Sequence, residues 1–168
     1  TIVDVGLHTC NFLVLAVQRG YIVHGFDPRS EAHKYCKKGL RADQYATVSI
    51  TLTGDDEVPV IGSRPSIPAH GGGFAFLYQA AVGNTTSAAT LGVDGAFSSL
   101  VDRSHALRRD HQRRRVPIVR LDQVGIGEDI WLLKMDVQGG ELHALRGARQ
   151  LLHRGLVSWV YTEFDPHM

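Results

Sequence analysis

The chain has 168 residues, of which 43% are hydrophobic and 21% charged, with a formal net charge of +1. This is the size and composition of one globular domain with a single core, and a balance so near neutral excludes attachment to nucleic acid driven by overall charge. The longer apolar runs, such as Phe12 to Val17, are too short to span a bilayer.

The β-branched run Ile2 to Val5 predicts a buried first strand. Asn11 can cap a following helix that Gly20 closes, with Phe12, Leu13, Leu15, Ala16 and Val17 supplying a broad apolar face. Tyr21 to Phe26 reads as a second strand ended by Pro28, and Ser30 as the N-cap of a helix that stops at Gly39. Strand, helix, strand, helix at this spacing argues for a parallel sheet with right-handed crossovers.

Ala46 to Leu52 reads as a candidate strand, and the glycines and prolines of residues 54–73 read as a long loop, an insertion or a lid over the site. Phe74 to Val82 resumes as a third strand. Residues 84–115 are ambiguous, with a candidate helix over Ser99 to Arg109. Val116 to Leu121 reads as a strand placed at an edge by Pro117. Trp131 to Met135 is a further buried strand, Glu141 to His153 one helix ended by Gly155, and Val157 to Thr162 the last strand.

Two places carry chemistry. Gly6 follows the first strand and allows a tight turn beside a ligand, and Asp27 lies 21 positions later at the tip of the second strand. A strand-tip acid at that spacing accepts ribose hydroxyls in doubly wound sheets. A dinucleotide fingerprint would need glycines where His8 and Asn11 stand, so a nicotinamide-dependent oxidoreductase is the weaker of the readings this spacing allows. The second place is Asp136, at the tip of a buried strand before the turn Gly139-Gly140 and a helix. Tips of neighbouring strands converge on one crevice, so Asp136 is expected to face the site that Gly6 and Asp27 begin.

Other groups read more plainly. Lys134, inside a buried strand, is expected to pair with an acid, and Asp122 to act as a structural cap. The basic run Arg108 to Arg115 lacks interleaved aromatics and reads as a solvated loop rather than a nucleic-acid surface. Asp136, Glu141 and Glu163 could together hold a divalent metal, but carboxylates alone do not define a metal site. Two cysteines, Cys10 and Cys36, make no disulfide framework, so a reducing compartment and a cytoplasmic location are the expectation. The chain opens on a strand without initiator Met or signal peptide, which reads as an excerpt of a longer protein.

With both stretches in hand, the chain resembles the FkbM family of S-adenosylmethionine-dependent methyltransferases. The anchors are DVGLHTCNF, VHGFDP, AAVGN, VRLDQV and above all LLKMDVQGGELHALRGARQLL. The family's last segment reads K-x-D-hydrophobic-E-G-x-E, then a helix with L-x-G-A, and Lys134, Asp136, Gly139, Glu141, Leu145, Gly147 and Ala148 match it. The resemblance implies a Rossmann-like class I methyltransferase fold, a mainly parallel doubly wound sheet with helices on both faces, here without its C-terminal edge strands. It implies S-adenosylmethionine as cofactor and a hydroxyl of a sugar or small natural product as acceptor.

The resemblance also implies roles. Asp4 and Gly6 shape the pocket for the methionine part of the cofactor, with His8 as a neighbour. Asp27 holds the ribose hydroxyls, Ala81 and Val82 lie near the adenine, Asp136 sits beside the transferred methyl, and Glu141 contacts the acceptor or orients a neighbour. Two departures stand out: Cys10 replaces a glycine and is expected to narrow the pocket at the cofactor's amino-acid end, and Gln138 replaces a glutamate. They motivate a second expectation, a methyltransferase-like domain that binds without catalysing.

Overall fold

The computed structural model describes residues 1–69, 71–94, 97–100 and 114–163, with backbone alone for residues 92–94 and 97–100. Its centre is a six-stranded, all-parallel sheet. The strands, in spatial order, are β12 (Val157–Thr162), β11 (Ile130–Met135), β1 (Ile2–Val5), β2 (Ile22–Phe26), β6 (Phe74–Tyr78) and β3 (Tyr45–Val48). Chain order reverses at β1, which has the early strand β2 on one side and the late strand β11 on the other. Both faces are covered, so β1 and β6 are buried at every residue and read as apolar runs, interrupted in β1 only by Asp4.

Two helices, α1 (Asn11–Gln18) and α2 (Ser30–Gly39), cover one face. Leu13, Ala16 and Val17 of α1 and Ala32 and Cys36 of α2 pack there against Ile2, Val23, Ala75 and Leu77 of the sheet. The opposite face carries α3 (Glu141–Gly147) and α4 (Arg149–His153), whose Ala144 and Leu151, with Ala148 between the two helices, pack against Val3, Val5, Leu133 and Met135. The same face supports a hairpin of β4 (Ile50–Thr53) and β5 (Val58–Ile61). It also supports a four-stranded sheet in the order β7 (Ala81–Val82), β10 (Arg114–Val119), β8 (Ser87–Asp94), β9 (Phe97–Leu100). The architecture is α/β with a mainly parallel central sheet, as the alternation of strands and helices requires.

Several expectations need correction. The strand expected over Ala46 to Leu52 breaks at Ser49 into β3, which joins the main sheet, and β4, which leaves it. Residues 54–73 are not one loop, because Val58–Ile61 pairs with β4, and none of the described residues from 54 to 73 lines the cavity described below. The third strand ends at Tyr78, and Ala81–Val82 belongs to the second sheet. Ser99 and Leu100 lie in a strand instead of a helix; the remainder of that expected helix lies outside the described residues.

Pro117 is not on an edge strand, since β10 has neighbours on both sides. It is tolerated because the β7 pairing begins only at Ile118, so the flank beside Pro117 asks for no N–H there. The helix expected from Glu141 to His153 is interrupted at Ala148. A side chain at Gly147 would overlap the Gly83 carbonyl, so the helix passes this point against the backbone. Asp122 caps as expected, but at long range: its Oδ1 accepts the N–H groups of Gln150 (3.0 Å) and Leu151 (3.1 Å) at the start of α4.

The cysteine reading is also corrected. Cys10 and Cys36 are joined by a disulfide, their Cα atoms 5.2 Å apart, both sulfurs buried between α1 and α2. Such bonds persist in oxidising surroundings, so the cysteines give no support to a reducing compartment. No helix among the described residues is long and apolar enough to cross a membrane. The bond closes a 26-residue separation, for which loop-closure entropy predicts about 3 kcal/mol of stability. Urea unfolding of Cys36→Ser should show a loss of that order, and addition of thiol reductant should then change nothing further. Equal stability of variant and wild type would contradict this.

Candidate active site

The register pairs Val5 with both Phe26 and Met135, so β1, β2 and β11 end at one level. A cavity of about 330 Å³ opens at these ends, within the range of small-molecule sites. Phe26, Ala80, Ala81, Val82 and Leu91 form an apolar wall. Gly6, His8, Asp27 and Arg29, together with Asp136, Gln138 and Gly140, contribute the polar part of the lining.

Gly6 sits between the ends of two strands. Its N–H donates to the Phe26 carbonyl (2.9 Å), while the next strand's Asp136 N–H donates to the Val5 carbonyl (2.9 Å). Its φ is +89°, and a Cβ there would overlap the Asp136 carbonyl oxygen. Only glycine meets both conditions. His8 (φ 48°) and Cys10 (φ 64°) are also left-handed, so the chain coils tightly before α1. Cys10, not Asn11, is the N-cap residue of α1. The left-handed backbone explains why glycine suits the position, and here the side chain is tied to Cys36. It is 1% exposed and does not line the cavity, so it does not narrow the pocket as expected.

The Asp27 carboxylate is fully engaged. Oδ2 accepts the N–H groups of Leu7 (3.1 Å) and His8 (3.3 Å) and Nη2 of Arg29 (2.7 Å). Oδ1 accepts the Arg29 backbone N–H (2.9 Å) and its Nε (2.9 Å). His33 Nε2 donates to the Asp27 carbonyl (2.8 Å), fixing the strand end from α2.

Below the turn, Lys134 Nζ donates to Asp4 Oδ1 (3.0 Å) and lies 3.4 Å from the Gly6 carbonyl, the acid pairing expected for Lys134. Asp4 is fully buried, does not line the cavity, and its Oδ2 has no hydrogen-bond partner. Just beyond β11, Gln138 Nε2 donates to Asp136 Oδ1 (3.2 Å). Both oxygens of Glu141 accept backbone N–H groups of the preceding turn, Val137 (3.0 Å) and Gly139 (2.9 Å). Glu141 therefore braces the turn that presents Asp136, where Gln138 and Gly139 are left-handed, and it lies outside the cavity wall. Among the described residues no group of three His, Cys, Asp or Glu side chains comes together as a metal site.

Thus His8, Gly6, Asp27, Ala81, Val82 and Asp136 meet at one cavity, while Asp4, Cys10 and Glu141 support it from behind. Sequence reasoning missed Arg29 and Leu91. A cation two positions after a strand-tip acid was a usable signal for Arg29; Leu91 arrives from the second sheet and had none.

Two predictions follow from this geometry. Gly6→Ala should destabilise the fold by about 3 kcal/mol through left-handed strain and overlap with β11, read by urea unfolding; a loss under 1 kcal/mol would contradict the close approach. The second concerns pH. Burial pushes the Asp4 carboxyl up to about 6 against the pull of Lys134. Folding thus favours its protonated form, and this contribution is complete below pH 3.8 and lost as pH rises through about 6. His24, buried on β2 against Tyr78, is pushed down by burial to about 4. Its contribution is present above pH 6.5 and lost as pH falls through about 4. The two oppose each other in one window. Asp4→Asn should therefore show a steeper rise of stability with pH between 4 and 6 than wild type; parallel curves would contradict the assignment.

The sequence was compared with known proteins. No curated protein sequence matches it, and no solved structure matches it. The family model described as the methyltransferase FkbM domain matches residues 4–168, from the buried acid of β1 through the cavity-lining strand ends to the end of the chain. By that match over nearly its whole length, the chain belongs to the FkbM methyltransferase family.

Proposed function

We propose that this domain is a class I, Rossmann-like methyltransferase that uses S-adenosylmethionine to methylate a hydroxyl oxygen on a sugar or small natural product. The observation that carries the reading is the pairing of Asp27 and Asp136 at the ends of strands flanking β1, on one cavity that also has an apolar wall. Such a site suits a nucleoside that carries no phosphate. The residues fit: Asp27 stands where ribose hydroxyls are accepted, and Phe26, Ala81 and Val82 offer an apolar surface to a base. A pyrophosphate would meet the His8 side chain instead of bare backbone, and the nicotinamide alternative finds no support.

When bound, the cofactor supplies a methyl carbon made electrophilic by its sulfonium. The chain's task is then to hold an acceptor oxygen in line with that carbon. Asp136 accepts the hydroxyl proton as the oxygen attacks. Gln138 orients it by donating to Oδ1, and Glu141 acts through the turn as a positioning residue. A glutamate at 138 would set a second negative charge beside Asp136, whereas the glutamine amide donates to it. Gln138 is thus compatible with catalysis.

Titration calorimetry with S-adenosylhomocysteine should show binding that Asp27→Ala weakens at least about tenfold. Asp136→Asn should keep that binding while lowering kcat on a hydroxyl acceptor about 100-fold or more. Absence of binding by the wild-type chain, or full activity in Asp136→Asn, would contradict the proposal.

A further inference from the structure

Asp27 accepts five hydrogen bonds, three of them from backbone N–H groups and two from the guanidinium of Arg29. A carboxylate offers about four lone-pair sites, so this one has no capacity left for a further donor. The three backbone bonds are built into the turn after β1 and into the chain after β2. The two guanidinium bonds are not: Arg29 reaches back from the position just before α2, lines the cavity, and its side chain is 20% exposed. It is the partner of Asp27 that is held by a partly exposed side chain and not by the backbone of the turn.

Resting on the proposed cofactor reading, we propose that Arg29 is an internal competitor for the ribose position, a latch that an adenosyl ligand must displace before its hydroxyls can bind Asp27. The two guanidinium N–H donors and the two hydroxyls of a ribose present the same number of donors to the same pair of oxygens. Exchange is therefore conservative in hydrogen bonds, but it gives up a charge-assisted bidentate pair for two neutral donors. The ligand binds more weakly than its contacts alone allow, and the discount is specific to ligands that carry the diol. The released guanidinium swings toward the cavity mouth and solvent.

Calorimetry on three chains tests this: wild type, Arg29→Met, which keeps the aliphatic stem without donors, and Arg29→Lys, which keeps the charge without the fork. Each is titrated with S-adenosylhomocysteine, adenosine and 2′,3′-dideoxyadenosine, and thermal unfolding checks that each is folded. Three backbone donors still hold Asp27 in the variants. Arg29→Met should bind S-adenosylhomocysteine and adenosine about tenfold tighter than wild type, with Arg29→Lys between them and the dideoxynucleoside unchanged. Equal or weaker binding of S-adenosylhomocysteine by Arg29→Met would overturn the latch while leaving the cofactor reading intact. An equal gain for the dideoxynucleoside would overturn it too, since Arg29 would then obstruct the cavity without competing for the diol. Failure of all three chains to bind any of these ligands would overturn the cofactor reading and the latch together.

Discussion

The carboxylate of Asp27 ties the end of β2 to the turn that follows β1. A buried charge is costly unless it is paired and hydrogen-bonded, and here the compensation comes from the N–H groups of Leu7 and His8 and from Arg29. These same bonds fix the turn whose left-handed residues at 6, 8 and 10 start α1 in the right direction. The disulfide from Cys10 to Cys36 repeats the constraint from the other side of the turn, joining the start of α1 to α2. The cavity exists because two strand ends and two helices are held to one short loop, and Asp27 is where most of those ties meet.

The arrangement concentrates acids. Asp4, Asp27 and Asp136 come from three adjacent strands and repel one another, which adds to the effect of burial on Asp4. Each is offset differently: Asp4 by Lys134, Asp27 by Arg29, and Asp136 by the neutral amide of Gln138. A cluster with that gradation suits a ligand that is cationic at its reacting end and polar at its sugar. The most exposed of the three offsets, Gln138, stands next to the acid assigned to the chemistry, so Asp136 remains free to take a proton. Glu141, whose carboxylate is consumed by the turn's own N–H groups, shows that an acid near a site can be structural.

Much of this was legible in the sequence, and the parts that were not share a cause. Buried parallel strands announce themselves as short apolar runs, so β1, β2, β11 and β12 were found close to their observed limits. Gly6, Asp27 and Asp136 were found because strand ends in such a sheet converge, which is a rule of topology. Between residues 40 and 120 the strands β5, β8 and β9 were missed because they pair antiparallel in a hairpin and a second small sheet. Their alternation is weak and their partners lie far along the chain, so neither propensity nor periodicity identifies them. Cys10 was misread because its neighbour in space, Cys36, depends on how two helices pack. The family's glycine at this position gave the right clue, a left-handed backbone, but the side chain points to α2 and away from the cavity.

The central claim is that one adenosyl-binding cavity is assembled at the ends of β1, β2 and β11. The most direct test is a titration of the ¹⁵N-labelled chain with S-adenosylhomocysteine, followed by amide chemical shifts. The account predicts changes confined to residues 6–8, 27–29, 80–82 and 136–140, with the Arg29 side-chain Nε–H signal among the largest. Saturable shifts centred elsewhere, on the hairpin of β4 and β5 or along the edge strand β12, would contradict it.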